Sequence, residues 1–202
     1  MLRFPSLLLL AALLLSWRPI AAQSAQRWSL QVSGLYVGVS GDVYEGLDAG
    51  GGAEVQGRFT PGVWSIGVGV QASSHPVREA GLETETLSLR GAFIEPRRVF
   101  DLGWSRAAPY ASLRLAWLEQ AIDVRVDGTT LSATASGTQI NGGGGLLVRL
   151  SPRVNLDLGA TYGGIRFGDG TLTVDGVGTT TLEGTGGSGS NLVMRVGLAI
   201  GF

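Results

Sequence analysis

Few residues in this chain of 202 amino acids are of the types that carry covalent catalysis. It has one histidine, His75, in the segment Ser73-Ser74-His75-Pro76, and no cysteine. A serine nucleophile for acyl transfer normally needs a histidine base and a third group that orients the base. A single histidine beside serines is more often a solvated loop residue, so the sequence predicts no catalytic residue and no enzymatic activity.

A second segment that invites a chemical interpretation is the glycine run Asn141-Gly142-Gly143-Gly144-Gly145. Phosphate-binding loops combine glycines with a lysine and lead into a helix, whereas this run has no lysine and follows a strand-like pattern. Glycines in a strand more often relieve crowding or let a sheet bend. The sequence shows no cluster of metal-ligand spacing, so we expect no metal and no cofactor. A net charge of −1 gives no basic surface for nucleic acid.

Apolar and polar residues alternate with a period of two along most of the chain, which is typical of strands with one apolar face. The alternation recurs in eight segments, each near the ~9–11 residues that a tilted membrane strand needs. The segments begin near Trp28, Ala53, Trp64, Thr86, Ala111, Ile140, Val154 and Leu192. The first slips in parity at Gly34, where we expect a β-bulge before the strand continues to Val39. In the fourth, the apolar face is expected to carry Leu87, Leu89, Gly91 and Phe93.

The predicted connections differ in length at the two ends of the strands. Thr60-Pro61-Gly62 and Ser151-Pro152-Arg153 are expected to form tight turns, and residues 96–107 a somewhat longer one. Asp127-Gly128 and Asp175-Gly176 can each turn a hairpin. The long connections, about residues 40–51, 74–83, 121–136 and 168–189, are rich in Gly, Thr, Ser and Asp. Short turns at one end and long loops at the other are typical of outer-membrane barrels.

Two features favour a membrane barrel over a soluble one, whose strands would alternate in the same way. The polar face carries mostly small residues with a few arginines, whereas a soluble exterior usually carries many charges of both signs. The last strand also runs to the final residue, Phe202, on the apolar face. Aromatic residues fall at two levels, as at the two interfaces of a membrane. They are Trp28, Phe59, Trp64, Phe93 and Phe202 near the short-turn end, and Trp117 and Tyr162 near the loop end.

The inward face carries charged residues that need partners in a narrow lumen. These residues are Glu54, Arg58, Arg90, Arg114, Arg149, Asp157 and Arg195. An eight-stranded barrel is just filled by side chains, so we expect them to form a polar network that plugs the barrel. Arg149 and Asp157 flank the same turn at similar depth, and we expect them to pair. The excess of arginine leaves open a narrow path that prefers anions.

The N-terminus has the pattern of a secretory signal peptide. Arg3 supplies a positive charge, Leu7 to Leu15 is apolar, and Ala21-Ala22 offers small residues for cleavage. An apolar run of this length is too short to span a bilayer as a helix. We therefore expect a signal peptide over residues 1–22 and a barrel domain over residues 23–202, with an uncleaved anchor as the alternative.

The end of the chain carries a resemblance to a known family. Phe202, preceded at alternate positions by Ile200 and Leu198, resembles the signal by which the barrel-assembly machinery recognises its clients. With the signal peptide and the eight strands, residues 27–202 resemble the small outer-membrane β-barrel superfamily of OmpX and the OmpA membrane domain. The resemblance implies an all-β, antiparallel up-and-down transmembrane barrel in the cell outer membrane.

The resemblance leaves three classes of function open. We expect a structural or surface-interaction role for a monomer that presents four loops to the outside. Its expected partners are the outer-membrane lipid bilayer, the secretion machinery and the barrel-assembly machinery, and no residue pattern identifies a surface partner. The alternative is a narrow passive pore for small solutes, and a lipid-modifying outer-membrane enzyme comes third.

Overall fold

The computed structural model describes residues 26–77, 86–126, 129–174, 176 and 178–202. The predicted signal peptide over residues 1–22 and the predicted turn at Asp127-Gly128 lie outside these residues. The strands are β1 (Trp28–Ser40), β2 (Gly50–Phe59), β3 (Trp64–Pro76), β4 (Thr86–Val99), β5 (Ala107–Val126), β6 (Thr129–Arg149), β7 (Val154–Val174), β8 (Gly178–Leu182) and β9 (Gly187–Gly201). A short 3₁₀ helix, Asp42–Tyr44, lies between β1 and β2. Within the described part of the chain, no helix has the length and apolar character needed to cross a membrane.

The strands form a closed ring of eight with antiparallel pairing throughout. Each strand from β1 to β7 pairs with the next, β7 also pairs with β9, and β9 pairs with β1. The short strand β8 pairs with β7 near the loop end, beyond the point where β9 pairs with β7. The predicted up-and-down barrel of about eight strands is therefore confirmed.

The outer surface of the ring carries a band of exposed apolar side chains. Val68, Val70, Ile140 and Val196 are each about 60 % exposed, although they lie in the middle of strands. A water-soluble monomer rarely exposes a continuous apolar surface of this kind. In β1 to β3, β5 to β7 and β9, the face that the alternation predicted to be apolar is the face that points away from the lumen. The band therefore has the character of a surface that lipid covers.

The first strand contains no bulge at Gly34. Its pairing with both β2 and β9 runs without a register shift, and Gly34 and Tyr36 point outward. Leu35 and Val37 consequently point into the lumen, where they pack against Val193. The change from polar to apolar inward residues produced the apparent slip in parity.

The predicted faces of β4 were wrong. Leu87, Leu89 and Phe93 are buried inside the barrel, whereas Arg90 is exposed on the outer surface. The loop-end half of this lumen is apolar, so an apolar residue in that half of a strand does not identify the lipid-facing side. Phe93 therefore does not belong to a belt of aromatic side chains at the membrane interface.

The fourth strand also extends past Pro96, where the sequence predicted that a connection begins. Proline lacks a backbone N–H and interrupts a ladder of hydrogen bonds. The pairing between β4 and β5 accordingly omits Glu95 and Pro96 and resumes at Arg97 in the same register. On the other side, Pro96 pairs with Ile66 of β3. The strand thus tolerates Pro96 and carries Glu95 and Arg97 into the lumen.

The two ends of the barrel differ, but the long connections predicted over residues 121–136 and 168–189 consist mostly of strand. Short connections of residues 60–63, 100–106 and 150–153 form the short-turn end. At the loop end, β5, β6 and β7 reach 20 or 21 residues, about twice what a membrane crossing needs. Gly176 has a φ of 76° between β7 and β8, a left-handed conformation that favours glycine. The predicted hairpin at Asp175-Gly176 thus has its turn glycine in place, while Asp175 lies outside the described residues.

Candidate functional site

The lumen is divided into layers, and its middle holds a buried cluster of charges. We call this cluster the central charged layer, and it consists of Glu54, Arg58, Glu95, Arg97, Arg114, Asp157 and Arg195. Five strands contribute to it (β2, β4, β5, β7 and β9), because an inward residue of each strand reaches the axis of so narrow a barrel. All seven side chains are buried, so the cross-section of the barrel is filled at this level.

Glu95 is the carboxylate at the centre of this layer. Its Oε2 accepts hydrogen bonds from Arg114 Nε at 2.7 Å and Arg195 Nη1 at 2.6 Å. Its Oε1 accepts a hydrogen bond from Arg195 Nη2 at 2.9 Å and another from Arg97 Nε. Arg58 Nη2 lies 3.4 Å from the same oxygen. Four guanidinium groups therefore surround one carboxylate.

The other two carboxylates hold the remaining sides of the layer. Asp157 Oδ2 accepts hydrogen bonds from Arg97 Nη1 at 2.7 Å and Gln31 Nε2 at 2.8 Å. Tyr110 donates its hydroxyl proton to Asp157 Oδ1 at 2.6 Å. Arg114 Nη1 donates to Glu54 Oε2 at 2.6 Å. Each buried carboxylate thus has at least one charged donor, which is the condition for keeping charges in a dry interior.

Aromatic rings stack against two of the arginines. The guanidinium carbon of Arg114 lies 4.0 Å from the centroid of the Phe93 ring, and that of Arg97 lies 4.4 Å from the Tyr110 ring. Stacking of a cation on an aromatic face is favourable, most of all away from water. Phe93 therefore links the charged layer to the apolar layer next to it.

The predicted charged residues divide into two groups in the structure. Five of them lie together in the central charged layer: Glu54, Arg58, Arg114, Asp157 and Arg195. Arg90 does not, because it points outward and binds Glu119 on the neighbouring strand, with Nη2 to Oε1 at 2.6 Å. Arg149 is half-buried near the short-turn end, opposite Asn155. The expected pair of Arg149 with Asp157 was wrong, because Arg97 and Arg195 form the ion pairs of Asp157.

Sequence reasoning missed Glu95 and Arg97: Glu95 directly precedes the connection predicted over residues 96–107, and Arg97 lies within it. The signal that identifies them is their spacing of two residues, which places both on one face of a strand. Tyr110 was missed because its alternation begins before the segment assigned to β5.

Clusters of apolar side chains lie inside the barrel on both sides of the charges. Near the short turns, Val63, Val99, Ala108 and Tyr110 form a buried cluster. Toward the loops, a larger buried cluster contains Tyr44, Leu87, Leu89, Phe93, Ala116, Leu118, Ala135, Ile165 and Phe167. Tyr44 comes from the 3₁₀ helix and meets Phe167 edge to face, with 6.4 Å between ring centroids. Burial raises the pKa of Tyr44 above its ordinary value. The first loop therefore caps the lumen.

His75 belongs to this cap and not to a solvated loop. It is fully buried on the inward face of β3. Its Nδ1 lies 3.2 Å from the carbonyl oxygen of Asp48, to which it donates, and its Nε2 lies 3.2 Å from Ser73 Oγ. A serine, a histidine and an orienting acceptor are thus together, but the imidazole is enclosed inside the barrel, on the opposite side of the wall from lipid. The arrangement ties the first loop to β3.

The residues of the predicted assembly signal lie on the outer face of the closing strand. Leu198, Ile200 and Phe202 are 48 %, 55 % and 70 % exposed. The Phe202 N–H donates to the carbonyl oxygen of Trp28 at 3.0 Å. The final strand therefore completes the ring beside β1 and presents alternate apolar side chains to the outside.

A closed ring of eight strands with an apolar exterior and a lumen filled by paired charges is the fold of a small transmembrane β-barrel. The fold is similar to that of Neisserial surface protein A, with a TM-score of 0.59, 16 % identity, and coverage of 89 % of this chain and 100 % of that chain. It is also similar to Ail, the attachment invasion locus protein of Yersinia pestis, with a TM-score of 0.51, 13 % identity, and coverage of 87 % and 99 %. The outer membrane protein OprG from Pseudomonas aeruginosa gives a TM-score of 0.52, 10 % identity, and coverage of 90 % and 98 %. No protein-family model matches the chain, and no curated protein matches its sequence.

Proposed function

We propose that this protein is an integral outer-membrane barrel with a structural and surface-interaction role. The observation that carries the proposal is the contrast between a lumen filled by side chains and a sheet that projects beyond the ring. The lumen is filled by the central charged layer and by the apolar clusters on both sides of it, whereas the projecting sheet offers free backbone groups to a partner.

The projecting sheet consists of the loop-end parts of β5, β6 and β7 together with β8. The pairing of β5 with β6 continues to Val126 and Thr129, far beyond Ala121, where the pairing of β4 with β5 ends. The pairing of β6 with β7 reaches Val174, and β7 then pairs with β8. Among the described residues, β8 pairs with β7 alone, and its residues Thr179–Thr181 are exposed.

An exposed strand at the edge of a sheet can add an extended segment of another protein by backbone hydrogen bonds. Charged side chains and prolines often protect such edges, but β8 has the sequence Gly-Thr-Thr-Thr-Leu and carries neither. We infer that an extended peptide segment of a surface partner binds along β8.

The test is selection of peptides from an extended-peptide library on the purified full-length protein in neutral micelles. Proline lacks the N–H that an added strand needs, so a variant with Thr180→Pro and Thr181→Pro should lose binding of the selected peptides. A matched variant with Thr180→Ser and Thr181→Ser should keep it. Binding that survives the proline variant, with the barrel still resistant to detergent on an unboiled gel, would remove β8 as the docking site.

A passive pore is the alternative, and the buried charges weigh against it. Arg114, Glu95 and Asp157 are each fully buried in the middle of the lumen. An ion crossing the barrel would have to displace paired guanidinium and carboxylate groups. A lipid-modifying enzyme has even less support, because His75 is enclosed away from lipid. Cells carrying His75→Asn should therefore keep the lipid composition of the wild type.

A further inference from the structure

The outer wall of the barrel carries a groove that the proposed function does not use. It has a volume of about 790 Å³ and lies across β4, β5, β6 and β7 on the lipid-facing side. We call it the lateral groove, and the residues that matter here are Arg90, Trp117, Glu119, Ser136, Thr138 and Arg166. All six side chains point away from the lumen.

The strand register brings these residues together from four different strands. Arg90 is opposite Glu119, and Glu119 is opposite Ser136. One step along the strands, Thr138 lies between Trp117 on one side and Arg166 on the other. The two arginines therefore flank a floor of small hydroxyl residues.

An irregularity in the sheet coincides with the floor of the groove. The register between β6 and β7 shifts between Ala135 and Gly137. Bulges of this kind redirect side chains and occur often beside binding sites. A Cβ at Gly137 would lie 2.7 Å from the carbonyl oxygen of Arg166, so glycine allows the two strands to approach at this point.

The groove lies at the outer boundary of the apolar band. Arg90, Trp117, Thr138 and Arg166 are each about 9–12 residues from the short-turn end of their strands, and a membrane crossing takes ~9–11 residues. Tryptophan prefers this interface. Below the groove, Ile140 and Tyr162 continue the apolar surface toward the middle of the membrane.

The charges in the groove favour an anion. Glu119 is ion-paired with Arg90: Arg90 Nε and Nη2 donate hydrogen bonds to Glu119 Oε1 at 3.0 and 2.6 Å. Arg166 is exposed, and within the described part of the chain no carboxylate lies within ion-pair distance of it. Among the described residues that line the groove, this leaves one positive charge beside the hydroxyls of Ser136 and Thr138.

We propose that the lateral groove binds the phosphate group of a lipid in the outer leaflet. Arg166 forms the primary ion pair, the hydroxyls of Ser136 and Thr138 donate to phosphate oxygens, and Arg90 contributes when it turns from Glu119. Arginine is well suited to phosphate because its planar fork donates two hydrogen bonds at once. The acyl chains lie along Ile140 and Tyr162, which is why the source is a lipid and not free phosphate.

The experiment measures lipid retention by native mass spectrometry of the full-length protein in neutral micelles. The probes are a diphosphorylated, acylated glucosamine disaccharide, its dephosphorylated analogue and inorganic phosphate. The variant with Arg90→Gln and Arg166→Gln removes both positive charges of the groove, and Arg153→Gln, in an exposed short turn, is the matched control. Glu119→Gln releases Arg90.

The phosphorylated lipid should bind the wild type about tenfold or more tightly than its dephosphorylated analogue, since hydrogen bonds to charged groups contribute free energies of this order. The double variant should lose that difference, Arg153→Gln should keep it, and Glu119→Gln should increase it. Equal binding of both lipids, or a double variant that binds like the wild type, would overturn the proposal. Displacement of the lipid by millimolar inorganic phosphate would instead indicate a site for free anions.

The inference depends on the proposed outer-membrane location, but the two can fail separately. The location of the protein is determined by cell fractionation and the unboiled gel, whereas lipid binding is measured on the purified protein. A protein found in the outer membrane that shows no preference for phosphorylated lipid loses only the groove assignment.

Discussion

Glu95 is the single residue on which most of the central charged layer depends. Glu95→Gln removes the negative charge that four arginines share. Loss of one partner of a buried ion pair leaves the other uncompensated, so we expect a loss of about 3–5 kcal/mol in the free energy of unfolding. Urea unfolding in micelles, followed by the fraction that migrates as folded protein on an unboiled gel, measures this loss.

Glu119→Gln is the matched control for that prediction. Glu119 also accepts hydrogen bonds from an arginine, but the side chains of Arg90 and Glu119 are 68 % and 41 % exposed. Exposed ion pairs contribute about 0–1 kcal/mol. If both variants lost the same stability, burial of the charged layer would not be what makes Glu95 important.

Arg97 and Arg149 give a second test at the level of single residues. Arg97 binds Asp157 in the buried layer with 2.7 Å between Nη1 and Oδ2, whereas Arg149 is half-buried near the rim. Arg97→Gln should therefore lower the urea midpoint strongly and Arg149→Gln only slightly. The opposite order would show that the lumen is organised around the pair expected from the sequence.

The partners within the lumen were beyond what the sequence could specify. Alternation predicts an arginine on the inward face, and the structure places Arg58, Arg114 and Arg195 inside the barrel. Their partners come from distant strands, as with Arg195 and Glu95, which are 100 residues apart in the chain. Depth in a tilted barrel depends on register, and sequence periodicity alone does not supply it.

At the level of elements, β4 shows where periodicity misleads. The rule that the apolar face points to lipid holds for strands whose inward residues are polar. In β4 the inward residues Leu87, Leu89 and Phe93 pack in the apolar cluster under the first loop. Arg90 points outward and forms an ion pair with Glu119. In a strand that passes through both an apolar and a charged layer of the lumen, the face that carries the apolar residues therefore changes along its length.

The glycines of β6 and β7 permit close packing that another pair of strands would not. Gly145 and Gly159 are opposite each other, and a Cβ on either would lie 2.5 Å from the hydroxyl oxygen of Tyr110. A Cβ on Gly159 would also lie 2.7 Å from Arg195 Nε. These glycines make room for the tyrosine that binds Asp157, which refines the expectation that the glycine run relieves crowding.

We therefore expect Gly159→Ala to destabilise the barrel by about 1–3 kcal/mol, the usual cost of overpacking. Gly142→Ala is the control, because Gly142 points outward and a Cβ there meets nothing within 4 Å. Its urea midpoint should stay the same or rise slightly, since alanine restricts the unfolded chain more than glycine does. Equal midpoints for the two variants would contradict the packing of Tyr110 against this pair.

For the whole molecule, the sequence predicted the strand topology better than the lengths of the strands. Eight alternating segments and tight turns such as Thr60-Pro61-Gly62 determine an up-and-down ring. The lengths of β5 to β7 could not be read, because their loop-end parts, such as Thr129-Thr130 and Gly170-Thr171, have the composition of loops. These parts form strands because each pairs with its neighbour beyond the membrane.

The layered lumen leads to a prediction about conduction. The central charged layer fills the barrel in the middle, and Tyr44 caps the loop end independently of it. We expect purified protein in a planar bilayer to give no steady channels above background. Tyr44→Ala should loosen the cap and still give no channels, because the charged layer remains in place.

The wild type and Tyr44→Ala together distinguish a filled barrel from a gated one. If the first loop were a gate over an open lumen, Tyr44→Ala would conduct while the wild type would not. Steady channels from the wild type itself would favour the pore over the structural role. Glu54→Ala with Arg114→Ala removes a buried pair, joined at 2.6 Å, without leaving either charge alone. Of these variants, the double substitution is the one expected to open a conducting path, provided that the unboiled gel shows a folded barrel.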